Sequence, residues 1–177
     1  MPVIDSKLDV RSEQFARNRA ETLEALGELD VLYEQAAQGG GEEALARMRK
    51  RGKMPLRERI TLALDQDSPF LEISPLAAWR SNYDVGSGFV CGIGVIEGVE
   101  CVLLGHDPSV RAGAFNPFNH KKLMRGLEIA RVNRMPYVQF VESAGADLRG
   151  DSGDGNPEAA IRRELGHFAE SGRLFYE

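Results

Sequence analysis

Residues 99–146 read VECVLLGHDPSVRAGAFNPFNHKKLMRGLEIARVNRMPYVQFVESAGA, and their patterning decides the fold class. Residues 101–104 are apolar without alternation, the composition of a strand buried on both faces. Over residues 118–134, Leu123, Leu127 and Ala130 recur at helical spacing, supplemented by Met124 and Ile129. Pro136 cannot continue a helix, so it ends this one. Residues 137–141 (Tyr-Val-Gln-Phe-Val) then read as a second strand. Strand, helix, strand in close succession is a βαβ unit, for which a right-handed crossover is the rule.

Upstream lies a hairpin signal. Two β-like runs, residues 89–96 and 99–104, are separated by Glu97-Gly98, a two-residue connection of the type that reverses a chain. Residues 68–88 are loop-rich, with Pro69, Pro75, Gly86 and Gly88 around Trp79 and Tyr83. The first third reads as helices. Phe15, Leu23, Leu26, Tyr33 and Ala37 are spaced helically over residues 11–38, and Gly39-Gly40-Gly41 stops that helix. Residues 42–51 open with acids and close with bases, which suits the helix dipole. A third helix enters at Pro55, with Leu56, Ile60 and Leu64 on one face. Downstream, glycines at 145, 150, 153 and 155 predict a long loop, and residues 158–176 a last helix. Phe168, Leu174, Phe175 and Tyr176 gather near the terminus with nothing after them to pack on, so the chain reads as the opening part of a larger fold. Apolar surface of that kind predicts an oligomer, or a chain unstable alone. The expected division is a helical arm over residues 1–66 and an α/β part over residues 67–177.

The chain has 177 residues, 22 Lys+Arg against 27 Asp+Glu, a net charge of −5 and 42% hydrophobic residues. It can bury a core, and its composition is not that of a disordered chain. No run reaches the roughly 18 apolar residues that suggest a membrane span, and mild acidity is unlike a dedicated nucleic-acid binder. Two cysteines make no disulfide framework, and the start lacks the apolar core of a secretory signal. The expectation is a soluble cytoplasmic protein with no membrane or nucleic-acid partner.

Several constellations have plain structural readings. Gly92-Ile93-Gly94 lacks the third glycine and the following helix of a dinucleotide fingerprint, and glycines that let another element pass closely explain it better. Cys91, Cys101, His106, His120 and His167 have no ligand-like spacing, so no metal site is expected. Residues 151–156 resemble a calcium loop only in composition. The basic run Arg47, Arg49, Lys50, Arg51, Lys53, Arg57 and Arg59 contains one acid, Glu58. It is either a solvated helix face or a surface for an anionic ligand or partner. Lys121, Lys122 and Arg125 lie in the first turns of the predicted crossover helix, where cations oppose the dipole. They would make an anion site together with free helix amides, or simply swing into solvent. Ser143-Ala144-Gly145-Ala146 follows a strand directly, where ligands of open α/β sheets bind. Small side chains there let backbone amides approach a developing oxyanion, or make an ordinary strand exit.

Taken in order, the segments from Gly52 onward resemble the carboxyltransferase (β) subunits of biotin-dependent acyl-CoA carboxylases, which include the propionyl-, methylcrotonyl- and geranyl-CoA enzymes. Gly52-Lys53-Met54-Pro55-Leu56-Arg57-Glu58-Arg59-Ile60 is similar to the family's GK-x-x-x-RERI, and Ser109-Val110-Arg111-Ala112-Gly113 to TVKGG. Lys121-Lys122, Glu128-Ile129-Ala130 and Asn133-Arg134-Met135-Pro136 are similar to KK…EIA…NR-x-P. Glu142-Ser143-Ala144-Gly145-Ala146 resembles DSGGA, and His167-Phe168 with Gly172-Arg173-Leu174-Phe175-Tyr176 resembles HFGRIFY. Glu142 and Ala144 depart from that pattern, as does an insertion between Phe168 and Gly172.

The resemblance implies the opening part of a crotonase-like (ClpP-type) α/β superhelix preceded by the helical arm. It implies carboxyl transfer from carboxybiotin, on a separate carrier protein, to an acyl-CoA. The backbone amides of Ala144, Gly145 and Ala146 would form the wall beside the thioester. Arg111, Gly113, Lys121 and Lys122 would contact CoA, and Ala114 and Phe115 would border the acyl group. Implied partners are acyl-CoA, a biotin carboxylase/carrier subunit, and further copies of the chain or a longer carboxyltransferase chain. The later glycine turn and the biotin-holding half of the family are missing, so the chain is not expected to be active alone. Two other readings stand: a crotonase-type CoA hydratase or decarboxylase using Glu142 or Asp147 as acid/base, and a truncated, non-catalytic assembly module.

Overall fold

A computed structural model describes residues 6, 8–147, 166 and 169. Three helices come first: α1 (Glu13–Gln38), α2 (Glu42–Lys50) and α3 (Leu56–Ala63). A sheet of β1 (Leu71–Glu72), β2 (Phe89–Ile96), β3 (Val99–His106) and β4 (Tyr137–Phe140) follows, with α4 (Pro117–Asn133) between β3 and β4. Strand order is β1-β2-β3-β4. β1 and β2, and β2 and β3, pair antiparallel, whereas β3 and β4 pair parallel, Val102 facing Tyr137 and Gly105 facing Phe140. The expected β-α-β unit is therefore present, and β3 runs two residues further than its apolar run alone implies. The expected last helix falls outside the described residues, except that Gly166 and Ala169 are helical.

The sheet is covered on both faces. Alternation along the strands (period two) sends Phe89, Cys91, Val102 and Leu104 toward α4, where Leu123 and Ala130 meet them. It sends Val90, Cys101 and Leu103 toward α3, where Leu56 and Ile60 meet them. Glycine sets the spacing of these layers. A Cβ at Gly126 would press on Leu104 and Cys91, one at Gly105 on Leu56, and one at Gly92 on the Phe70 ring. The Gly92-Ile93-Gly94 pair is thus a close-packing device. In the β2–β3 hairpin, Glu97 and Gly98 both take positive φ, 50° and 74°. Their amides donate to the Asp65 carboxylate at 2.7 and 2.8 Å, which ties the turn to the end of α3.

α1 is capped by Ser12, whose side chain accepts from the Phe15 amide, and it ends at Gly39 with φ 55°. Its apolar residues are largely uncovered: Leu23, Leu26, Val31 and Tyr33 are all exposed, and only Ala36 is buried. The periodicity predicted the helix correctly but not a packed face.

Lys122 is the main surprise of the core. It is 3% exposed, and its Nζ donates to the carbonyls of Gly86 and Phe89. Burial lowers its pKa from the ordinary 10.5 to about 8, with Glu72 and Cys91 opposing that shift and Arg57 adding to it. Burial likewise pushes the Cys91 thiol up from 9.0 to about 11. Between pH 8 and 10.5 only the unfolded chain keeps the Lys122 proton, so stability rises with pH by up to about 1.4 kcal/mol per unit. Above pH 9 the unfolded Cys91 thiol ionises first and stability falls by a similar slope. Urea midpoints should therefore climb from pH 8 to 9 and flatten beyond, and Lys122→Met should abolish the climb. A flat wild-type profile over that unit would contradict the burial of a charged Lys122.

Candidate functional site

The carboxyl ends of the parallel strands β3 and β4 open onto two loops, residues 107–116 and 141–147, and all but two of the expected site residues lie on these loops. Val110 precedes a tight turn, Arg111–Gly113. Arg111, Ala112 and Gly113 take positive φ of 46°, 55° and 68° in succession, a conformation costly for the first two. Three contacts hold it. The buried His106 donates from Nδ1 to the Gly113 carbonyl at 3.1 Å. Burial lowers the His106 pKa below its usual 6.5, which favours the neutral ring that can serve this role. A Cβ at Gly113 would collide with the Glu142 carbonyl oxygen, so only glycine lets the two loops come this close. Arg111 itself reaches Asp84 (3.1 Å), the Asn82 carbonyl (2.9 Å) and the buried Asp147 (3.4 Å), with its guanidinium over the Tyr83 ring.

The two loops are laced by backbone bonds. The Ala144 amide donates to Ala112 O at 3.1 Å, the Phe115 amide to Gly145 O at 2.7 Å, and the Asp147 amide to Phe115 O at 2.8 Å. Phe115 and Ala146 thereby form a parallel bridge. Of the three amides expected beside a thioester, Ala144 is committed to Ala112, and Gly145 to the Ser143 hydroxyl at 3.1 Å. Ala146 is the residue whose amide has no hydrogen-bond partner among the described residues. Ala114 is buried, and the half-buried Phe115 lies between the His106 and His120 rings, tilted 38° and 49° to them.

The two remaining site residues lie on α4 and do not form an anion site with its N-terminus. Asn116 accepts from the amides of Phe118 and Asn119, and Asn119 accepts from the Asn116 amide. This capping box consumes the donors that an anion would need. Lys122 points inward, as described above, and only Lys121 stays exposed. The expectation of free amides and two lysines converging on one spot is corrected on both counts. A cavity of about 370 Å³ between α4 and β4 is lined by Met124, Leu127 and Tyr137 among others and lies away from these loops.

Sequence reasoning missed the anchoring of the strand exit. Glu142 accepts from Lys53 Nζ at 2.5 Å and Arg59 at 3.1 Å. The Lys53 bond first, then the charges of Lys53 and Arg59, hold its carboxyl below the ordinary 4.5. A carboxylate kept ionised between two cations is poorly suited to donate a proton. Among the described residues no cluster of three or more metal-ligating side chains occurs, and no helix is long and apolar enough to cross a membrane.

A mixed sheet with helices on both faces and a paired-loop site beyond its parallel strands makes this an α/β domain. The chain belongs to the carboxyl transferase domain family, whose model matches residues 47–159. It is 42% identical over 146 residues to a protein of Mycobacterium tuberculosis described as a probable biotin-dependent acyl-coenzyme A carboxylase beta2 subunit, covering 82% of this chain and 28% of that one. It is 36% identical over 177 residues to a Drosophila melanogaster protein described as a probable mitochondrial methylcrotonoyl-CoA carboxylase beta chain, covering 98% and 29%. Among solved structures, the beta subunit of geranyl-CoA carboxylase from P. aeruginosa superposes with a TM-score of 0.76 at 34% identity, covering 96% of this chain and 32% of that one. The chain thus spans under a third of the length of these relatives.

Proposed function

We propose that this chain is the thioester-holding part of an acyl-CoA carboxylase carboxyltransferase, which moves a carboxyl group from carboxybiotin on a separate carrier protein to an acyl-CoA. The observation that carries the reading is the lacing of residues 112–115 to 144–147, which leaves the Ala146 amide open at the carboxyl end of the parallel strands. An amide so fixed can stabilise the enolate oxygen of a thioester, because it needs no reorganisation as charge develops. Ala114 and Phe115 border the acyl group, Lys121 is the CoA contact on α4, and Arg111 and Gly113 shape the turn. Carboxybiotin supplies the carboxyl group. No residue of this chain is assigned to its ureido oxygen. The acid/base alternative loses ground, since Glu142 is held as a carboxylate by Lys53 and Arg59, and Asp147 is buried against Arg111.

The organisation consistent with this reading is an arm over residues 1–66, anchored by Leu56 and Ile60 on the sheet, and the crotonase-like part over residues 67–177. Partners are a biotin carboxylase/carrier subunit and either further copies or a longer carboxyltransferase chain, in the cytoplasm. The lone chain, mixed with carrier labelled on its carboxybiotin and with acetyl-, propionyl- or branched enoyl-CoA, should bind acyl-CoA but transfer no label. Positioning the second reactant can be worth about 7–11 kcal/mol of a barrier, and the family's biotin-holding half is not among these residues. Absence of acyl-CoA binding would overturn the reading, and robust transfer would show a complete active site.

A further inference from the structure

With the α4 N-terminus closed by its capping box, a cluster of exposed cations lies elsewhere, at the turn between α2 and α3. Arg49, Lys50, Arg51 and Lys53 are all exposed there, and Gly52 (φ 70°) turns the chain among them. Arg49 pairs with Glu58 and Lys53 with Glu142. Lys50 and Arg51 have no side-chain partner among the described residues, and Glu142 is shared by two cations, Lys53 and Arg59. The turn therefore carries an uncompensated positive charge. The Arg59 Nε–H adds a buried donor with no hydrogen-bond partner among the described residues.

Position gives the charge its meaning. Lys53 is bonded to Glu142, and Glu142 stands four residues before Ala146 along the strand exit. Four residues of chain span at most about 14 Å. The cation platform is thus held within the reach of an extended pantetheine arm from the Ala146 amide. We propose that the α2–α3 turn, through Lys50 and Arg51 with Lys53 and Arg49 beside them, binds the phosphates of the CoA nucleotide while the thioester lies at Ala146. This rests on the proposed function and extends its CoA contacts from Lys121 on α4 to the helical arm.

The test is calorimetric titration of the full 177-residue chain with CoA and with pantetheine, which lacks the nucleotide phosphates, at low and moderate salt. Lys50→Glu with Arg51→Glu should weaken CoA about tenfold at low salt and flatten its salt dependence, as reversal of two surface charges near a polyanion requires. Pantetheine binding should be unmoved, and Lys50→Gln with Arg51→Gln should fall between. Matching urea midpoints for all variants would show that folding is intact. CoA affinity unchanged in the Lys50/Arg51 variants overturns this proposal alone; an acidic partner protein would then be the better match for the turn. A wild-type chain that binds neither CoA nor acyl-CoA overturns both this proposal and the function it rests on.

Discussion

Leu103→Ala is expected to destabilise the chain by about 2–5 kcal/mol, the range for truncating a fully buried leucine. Leu103 is 0% exposed, sits at the centre of β3, and packs with Leu56, Ile60 and Val90 on the α3 side of the sheet. The loss combines missing transfer free energy with a cavity that cannot collapse easily, because Gly105 already brings the backbone against Leu56. A whole domain is typically stable by only about 5–15 kcal/mol, so the variant should unfold at much lower urea. The same change at the exposed Leu62 on α3 should cost under about 0.5 kcal/mol. Equal midpoints for Leu103→Ala and wild type would mean that α3 is not bound to this face.

The second large effect is catalytic. In an assembly of this chain with a longer carboxyltransferase chain and carboxylated carrier, Ala146→Pro should lower carboxyl transfer by about 10²–10³-fold, the usual cost of one oxyanion donor. Proline removes the amide hydrogen, yet the lacing bonds run from Phe115 to Gly145 O and from Asp147 to Phe115 O. The substitution therefore deletes the open donor while leaving the ladder's own donors in place. Ala146→Val, which keeps the N–H, should retain activity within a few-fold. Ala144→Pro should act differently. It breaks the bond to Ala112 O and loosens the loop pair, so it should lower stability and CoA binding as well as rate.

Much of this architecture was legible because local chemistry and tertiary packing agree. The apolar run through Leu104, the helical stripe with Leu123 and Ala130, and the stop at Pro136 each specify one element, and their order leaves few topologies. Glu97-Gly98 and the close-packing glycines at 92 and 94 were legible for the same reason. The site was only half legible. Small residues at 144–146 marked the strand exit, but which amide stays open depends on Ala112 and Phe115, about 30 positions earlier in the chain. Lys121 and Lys122 are adjacent and identical, yet consecutive helix residues face directions about 100° apart, so one is exposed and the other buried against Gly86 and Phe89. The reciprocal bonds of Asn116 and Asn119 that cap α4 are not encoded in its apolar stripe. The pairing of Glu142 with Lys53 bridges 89 positions, and no periodicity encodes such a contact. α1 shows the opposite case, a clear helical pattern whose apolar side finds no cover among the described residues.

The central claim is that the Ala146 amide receives the carbonyl of a CoA thioester. It is tested most directly by titrating the ¹⁵N-labelled chain with acetyl-CoA and with CoA while following backbone amide resonances. The account predicts a large downfield proton shift at Ala146 with the thioester that CoA alone does not produce, with Ala144 and Gly145 little moved because their amides are already bonded. Saturating acetyl-CoA that leaves Ala146 unshifted, or that shifts Ala144 and Gly145 in its place, would contradict it.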